Sequence, residues 1–307
     1  MGYPVHTPYI GILVNPRKKN INPIVRQLDA WLDSQKPRAR FNICTYESEY
    51  ISNDFRVLQE SAARDILDKA ELIITLGGDG TLLRTINKIQ RFDIHFMGVN
   101  LGGLGFIADT PPEKLTDHIR HYLDGQYLID ERAQITCRVE DRDEKFRAFN
   151  DIVIDKAGFA RVIQIETHVG DERLNNYVAD GLIISTPTGS TGHSLSAGGP
   201  IVAPGSRVFV VNPICPHSLT NRPVIIPDDK QMRITVYTEA DSFNILRDGT
   251  QQGTYPGGTS FILKRSEHNI KLVKMAHQRF FRTLSKKLHW GEDFRNKNRW
   301  TYSKKKK

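Results

Sequence analysis

Short apolar runs alternate with stretches of helical spacing over roughly the first hundred residues. Residues 9–14 form an apolar run ending at Asn15-Pro16, which predicts a strand followed by a turn. Ile24, Leu28, Trp31 and Leu32 then recur at helical spacing, as do Leu58, Ala62, Ile66 and Leu67. A second apolar run over 71–76 is closed by Gly77-Gly78, after which Leu82, Leu83, Ile86 and Ile89 resume the helical period. A third run over 96–99 ends at Asn100, ahead of the cluster Gly102-Gly103-Leu104-Gly105. Strand and helix in alternation predict a parallel sheet with helices on its faces.

The pattern changes after about Asp130. Ile135, Cys137 and Val139 alternate with polar residues, and strand-like runs cover 152–154, 162–169, 208–211, 224–226 and 232–237. Helical spacing returns only near the end, with Leu284 and Leu288 in a basic setting. The expected fold is an α/β N-terminal domain over 1–130 and a mainly-β C-terminal domain over 131–275. A C-terminal segment over 276–307 follows, with a basic tail. At 307 residues and 39% hydrophobic, the chain has enough apolar material for two cores.

A net charge of +8 invites a nucleic-acid reading, but its location argues against one. Residues 295–307 carry Arg295, Lys297, Arg299 and the four lysines 304–307 without a single acid, which leaves about +1 for the rest. Such a terminus is expected to be a solvated tail, and no nucleic-acid partner is expected. Cys44, Cys137 and Cys215 have neither disulfide nor zinc spacing. No apolar run approaches membrane-spanning length and no leader pattern precedes residue 9. We therefore expect a soluble, cytoplasmic protein with no membrane partner.

Two glycine-rich segments carry candidate chemistry. Gly77-Gly78-Asp79-Gly80-Thr81 sits at a strand-to-helix junction, where glycines permit positive φ and leave backbone N–H groups open to phosphate oxygens. The following helix adds its N-terminal dipole. Asp79 is placed to reach a hydroxyl beside those phosphates, or else only to cap its own helix. The lysine of a P-loop is missing. Downstream, Asp180-Gly181 and the run 182–184 open into 185–200, where Thr186, Thr188, Ser190, Thr191, Ser194 and Ser196 are interleaved with Gly189, Gly192 and Gly198. Hydroxyls at that density suit the polar rim of a dinucleotide; a hydroxyl-rich hairpin is the plainer alternative. Asn150-Asp151, before the apolar triplet 152–154, reads as a base or ribose contact or as an ordinary turn.

In order along the chain, these segments resemble the NAD kinase family. The resemblance rests on Gly77-Gly78-Asp79-Gly80-Thr81-Leu82-Leu83-Arg84 and Asn100-Leu101-Gly102-Gly103-Leu104-Gly105-Phe106. It continues through Asn150-Asp151, Asp180-Gly181-Leu182, the loop 185–200 and Pro213-Ile214-Cys215-Pro216-His217. The Gly-Gly-Asp-Gly loop is shared with lipid and phosphofructokinase-like kinases, whereas 185–200 is much more selective. The resemblance implies transfer of the γ-phosphoryl of ATP to the adenosine-ribose 2′-hydroxyl of NAD. It implies Asp79 as the base, with Gly77, Gly78, Gly80 and Thr81 as the phosphate-donor loop. NAD contacts are implied for Asp79, Gly80, Arg84, Asn150, Asp151, Arg161, Asp180, Thr191, Gly192, His193, Ser194, Ser196 and Thr250. It also implies a divalent cation, Mg²⁺ or Mn²⁺, carried with ATP rather than by side-chain ligands. A homo-oligomer and return of the C-terminal segment to the first domain are implied as well.

The chain departs from the family pattern twice. Thr191-Gly192-His193 stands where the family usually has Thr-Ala-Tyr, and Asp248-Gly249-Thr250 stands for Asp-Gly-Gln, with Gln251 one step late. A lipid or sugar kinase and a non-enzymatic NAD(P) sensor are the competing readings.

Overall fold

The computed structural model describes residues 7–19, 21–35, 38–45, 68–158, 162–240, 242–276 and 280–290. The helical pattern at Leu58–Leu67, Arg161 and the basic tail lie outside the described residues. The first elements are β1 (Tyr9–Val14), α1 (Ile21–Gln35), β2 (Arg40–Cys44), β3 (Leu72–Gly77) and α2 (Asp79–Lys88). They are followed by β4 (His95–Asn100), α3 (Leu115–Leu123) and β5 (Leu128–Arg132). The chain then turns to strands: β6 (Ile135–Val139), β7 (Lys145–Ala148), β8 (Asp151–Lys156), β9 (Ile163–Val169), β10 (Glu172–Ala179) and β11 (Gly181–Ser185). After the single turn α4 (His193–Ser196) come β12 (Val208–Ile214), β13 (Val224–Pro227), β14 (Met232–Thr238) and β15 (Phe243–Arg247). β16 (Thr250–Tyr255), β17 (Ser260–Arg265), β18 (Ile270–Lys274) and α5 (Phe280–Lys287) end the described chain.

One six-stranded sheet has the order β2-β1-β3-β4-β18-β5, parallel except for the edge strand β5. Every residue of β3 is buried, because apolar packing covers both faces of the sheet. Val25, Leu28 and Leu32 of α1 pack with Leu115 and Ile119 of α3 on one side. Leu82 and Ile86 of α2 pack with Phe96 and Leu272 on the other. The strand-helix alternation is thus an α/β layer, as expected.

The remaining twelve strands form two antiparallel sheets, β10-β9-β14-β17-β6-β7 and β13-β12-β11-β8-β15-β16. Ile165, Ile234 and Phe261 of one meet Ile154, Phe209 and Phe243 of the other in a single core. Burial alternates residue by residue along β14, with one face on that core. β18 corrects the expected organisation: it pairs with β4 of the first sheet, so the chain returns there before residue 275. No described helix is long and apolar enough to cross a membrane.

Candidate functional site

β3 and β4 run parallel with Gly77 opposite Asn100, so the loops that follow them leave the same edge of the sheet. That register brings Asp79, the first residue of α2, against the segment after Gly105. Its Oδ2 accepts the Phe106 N–H (2.8 Å), and its Oδ1 accepts those of Ile107 (3.2 Å) and Ala108 (2.8 Å). Asp79 therefore clamps the neighbouring loop, which is not the role of a helix cap. The clamp explains Gly105: a Cβ there would lie 2.4 Å from Asp79 Oδ1 and 2.4 Å from the Ala108 carbonyl oxygen. The positive φ that glycine permits is not used here, since Gly77, Gly78, Gly80, Gly102, Gly103 and Gly105 all lie outside that region. Their value is closeness and bareness. A Cβ at Gly77 would strike the Thr81 hydroxyl at 2.2 Å, whereas Gly78 and Gly80 face open space.

The two loops border a cleft of about 570 Å³, whose lining includes Asp79, Gly80, Arg84, Gly102, Thr250 and Lys287. The β15–β16 turn closes it from the second half of the chain. Asp248 in that turn has φ +48°, and its carboxylate accepts the N–H groups of Phe149 (2.9 Å), Asn150 (2.7 Å) and Asp151 (3.0 Å). Two aspartates lining the cleft thus do the same job, each gathering three backbone donors. Burial, with the Asp248 charge beside it, pushes Asp151 up to about 7. Asp248 is raised too, by burial, with its three amides pulling the other way.

The loop 185–200 is less a ligand rim than its composition implied. Thr186 Oγ1 donates to the Phe149 carbonyl (2.7 Å), Ser190 Oγ to that of Pro187 (2.7 Å), and Thr191 Oγ1 to that of Thr188 (3.1 Å). Ser194 is fully buried, and Asn212 Nδ2 donates to its carbonyl (3.0 Å). Ser194, expected as an NAD contact, thus faces the protein in this conformation. The hydroxyls replace a regular hydrogen-bond ladder where the chain turns too tightly to form one. Gly189 is required there, because its Cβ would lie 2.2 Å from the Asn150 carbonyl oxygen. Gly192 lies beside the Asn150 side chain, and His193 and Ser196 are exposed.

Asp180 stands apart from Asp79. Its Oδ1 accepts from Lys156 Nζ at 2.7 Å. Gly181 pairs with Asp155 while Ser185 pairs with Asp151, so β8 separates the Asp180 end from the Asp151 end by about 13 Å of strand. Asp155 is raised by burial first and then by Asp180, while Lys156 and His193 lower it. The structure therefore gathers Asp79, Gly80, Arg84 and Thr250 in one cleft, with Asn150 and Asp151 behind it on the Asp248 carboxylate and Gly192 beside Asn150. Asp180 lies with His193 at the other end of β8.

Of three residues that sequence reasoning missed, Lys287 lines the cleft, and Phe106 and Lys274 support the loop that Asp79 clamps. Lys287, at the end of α5, lies 3.7 Å from Asp79 Oδ2 and 4.1 Å above the Phe106 ring. No motif marks it, because 208 residues separate it from Asp79. Phe106 was quoted only as the end of a motif. Lys274 is buried, ion-paired to Asp109 (2.8 Å) and donating to the Ile107 carbonyl (3.3 Å), so β18 holds the loop that Asp79 clamps. Gln251, by contrast, donates to Asn244 and Thr254 on its own hairpin and leaves Thr250 to line the cleft.

Two family models match the chain, the ATP-NAD kinase N-terminal domain over residues 10–127 and the ATP-NAD kinase C-terminal domain over 149–275. The NAD kinase of Flavobacterium johnsoniae is 33% identical over 287 residues, covering 91% of this chain and 97% of the relative. That of Natranaerobius thermophilus is 40% identical over 227 residues, covering 73% and 79%. Among solved structures, yeast NADH kinase complexed with NADH superposes with a TM-score of 0.81 at 24% identity, covering 94% of this chain and 90% of that one. An Archaeoglobus fulgidus NAD kinase in complex with ATP gives 0.71 at 21%, covering 91% and 98%. At these identities the two structures establish a shared fold.

Proposed function

Because the chain belongs to the ATP-NAD kinase family, we propose that the cleft at Asp79 is where it carries out that family's reaction. The chain is an NAD kinase: it phosphorylates NAD with ATP to give NADP. The observation that carries the site assignment is the convergence of Asp79, Arg84, Thr250 and Lys287 on one cleft.

In this reading Asp79 takes the proton from the adenosine-ribose 2′-hydroxyl. Each carboxylate oxygen has two lone pairs. Oδ1 spends both on Ile107 and Ala108, whereas Oδ2 spends one on Phe106. Oδ2 is therefore the atom that accepts the proton. The three N–H donors fix the carboxylate's orientation before substrate arrives, so little reorganisation is needed during transfer. Phosphoryl transfer passes through a loose transition state, which makes positioning and charge neutralisation the main tasks. Backbone amides at the start of α2, Arg84 and Lys287 supply positive potential to the phosphates. Asn150 and Asp151 hold the adenosine side and Asp180 the nicotinamide side, at the two ends of β8, while Thr191–Ser196 lie around the bound NAD.

A divalent cation, Mg²⁺ or Mn²⁺, accompanies ATP in this proposal and neutralises phosphate charge when bound. Among the described residues no group of three or more His, Cys, Asp or Glu side chains is placed to hold a metal, which fits a cation held mainly by the nucleotide phosphates. A homo-oligomer and a cytoplasmic location also belong to the proposal.

The test is a steady-state assay with Mg²⁺, varying donor (ATP, GTP, polyphosphate) and acceptor (NAD, NADH, a sugar, a lipid), with NADP read by an NADP-specific dehydrogenase. NADP formation from ATP and NAD is the expected result. Turnover with the sugar or lipid alone would overturn the acceptor assignment, and tight NAD binding with no turnover on any donor would make the chain a sensor.

A further inference from the structure

A second, smaller cavity of about 240 Å³ lies beside the C-terminal half of α2 and shares no lining residue with the cleft. Asn87 and Gln90 form one wall, Lys145 and Arg147 of β7 another, and Arg247 and Gln134 a third. Its described lining holds four cations, these three and Arg91, and no carboxylate. Arg91 is committed to Asp93 (2.6 Å). Arg147 is held with its guanidinium 4.2 Å over the Phe92 ring and Nη2 donating to Gln90 (3.2 Å).

The cavity is electrostatically and sterically incomplete. Arg147 lies below the ordinary arginine range, through burial and then through the Arg247 charge beside it. Three buried atoms around the cavity find no hydrogen-bond partner among the described residues: Arg247 Nε, a donor, and the side-chain oxygens of Asn87 and Gln134, acceptors. Gln134 is only 4% exposed. Buried polar groups are ordinarily paired, and like charges are not ordinarily brought together without a counter-charge. An oxyanion between the arginines answers the charge and the orphan donor; a hydroxyl or amine on the same molecule answers the two orphan acceptors.

We propose that this cavity is a second binding site, for a small metabolite carrying both an oxyanion (phosphate ester or carboxylate) and its own hydrogen-bond donors. Asn87 also bonds the Asp248 carboxylate, and Arg247 is its chain neighbour. An occupant therefore sits one side chain from the aspartate that organises residues 149–151.

The proposal is tested by calorimetric titration of the full chain with sulfate, which has no donor, and with a hexose phosphate and citrate, which have both groups. One of the latter two is expected to bind more tightly than sulfate, and which one wins identifies the oxyanion. Arg147→Gln and Arg247→Gln are each expected to weaken that binding about tenfold or more, the usual worth of a charged hydrogen bond. Arg147→Lys, which keeps the charge, retains part of it. Without ligand, both glutamine variants are expected to melt no lower than the parent, because one of two like charges is gone. No saturable binding, binding no tighter than sulfate, or binding unaffected in both glutamine variants overturns the proposal. These readouts are independent of kinase activity, so their failure leaves the NAD kinase reading intact.

Discussion

Asp79→Asn tests the catalytic assignment because the structure gives Asp79 two separable jobs. Asparagine offers one acceptor oxygen. With that oxygen toward Ile107 and Ala108, its amide nitrogen confronts the Phe106 N–H, donor against donor, where Asp79 Oδ2 now accepts at 2.8 Å. Losing that bond costs about 1–3 kcal/mol, and the Asp79 side chain is 32% exposed, so water compensates and about 1 kcal/mol is the better figure. For a chain of this size, about 1 kcal/mol corresponds to a melting shift of roughly 2–4 °C. Losing a positioned base, by contrast, costs about 10²- to 10⁴-fold in turnover, or roughly 3–5 kcal/mol of barrier. Catalysis should therefore suffer far more than stability. The two are measured on one preparation, by NADP formation at saturating ATP and NAD and by a thermal melt. Turnover within tenfold of the parent, beside the expected melting shift, would reduce Asp79 to a loop clamp and require another base.

Two further outcomes concern the buried residues behind Asp248. Asp151, raised from 3.8 to about 7, keeps a proton in the folded state that the unfolded chain has released, so stability falls as pH rises from about 4 to about 7. At about 1.4 kcal/mol per unit the loss reaches a few kcal/mol, and Asp151→Asn should flatten it; equal urea-midpoint differences between pH 5 and pH 8 in both proteins would refute the assignment. Gly189→Ala puts a Cβ 2.2 Å from the Asn150 carbonyl oxygen and 2.6 Å from its carbon, both backbone atoms that cannot swing away. It should cost about 1–3 kcal/mol and raise the KM for NAD, and an unchanged melting temperature would show the loop to be pliant.

Much of the architecture was legible because it depends on local periodicity. Burial on both faces makes β3 and β11 continuous apolar runs, and burial on one face makes β14 alternate. The order of glycine-rich motifs likewise pointed to the family and to Asp79. The orientation of the hydroxyls of 185–200 was not legible, because composition reports that a group can hydrogen-bond, not which way it faces. Three of the six, those of Thr186, Ser190 and Thr191, turn inward to backbone carbonyls. Of the two uses read for the glycines, positive φ and a bare backbone, the structure uses the second, with close approach added at Gly105 against Asp79.

By itself, the sequence determined the strand-helix alternation, the switch to β structure near residue 130, and the identity of the acid in the Gly-Gly-Asp-Gly loop. Each is a property of neighbours in the chain. Only the tertiary structure decided that β18 crosses back beside β4, that Lys274 and Lys287 reach the loop around Asp79, and that Asp248 holds residues 149–151. Those contacts join residues from roughly 100 to 200 positions apart. Their energies depend on burial and distance, which no local pattern records.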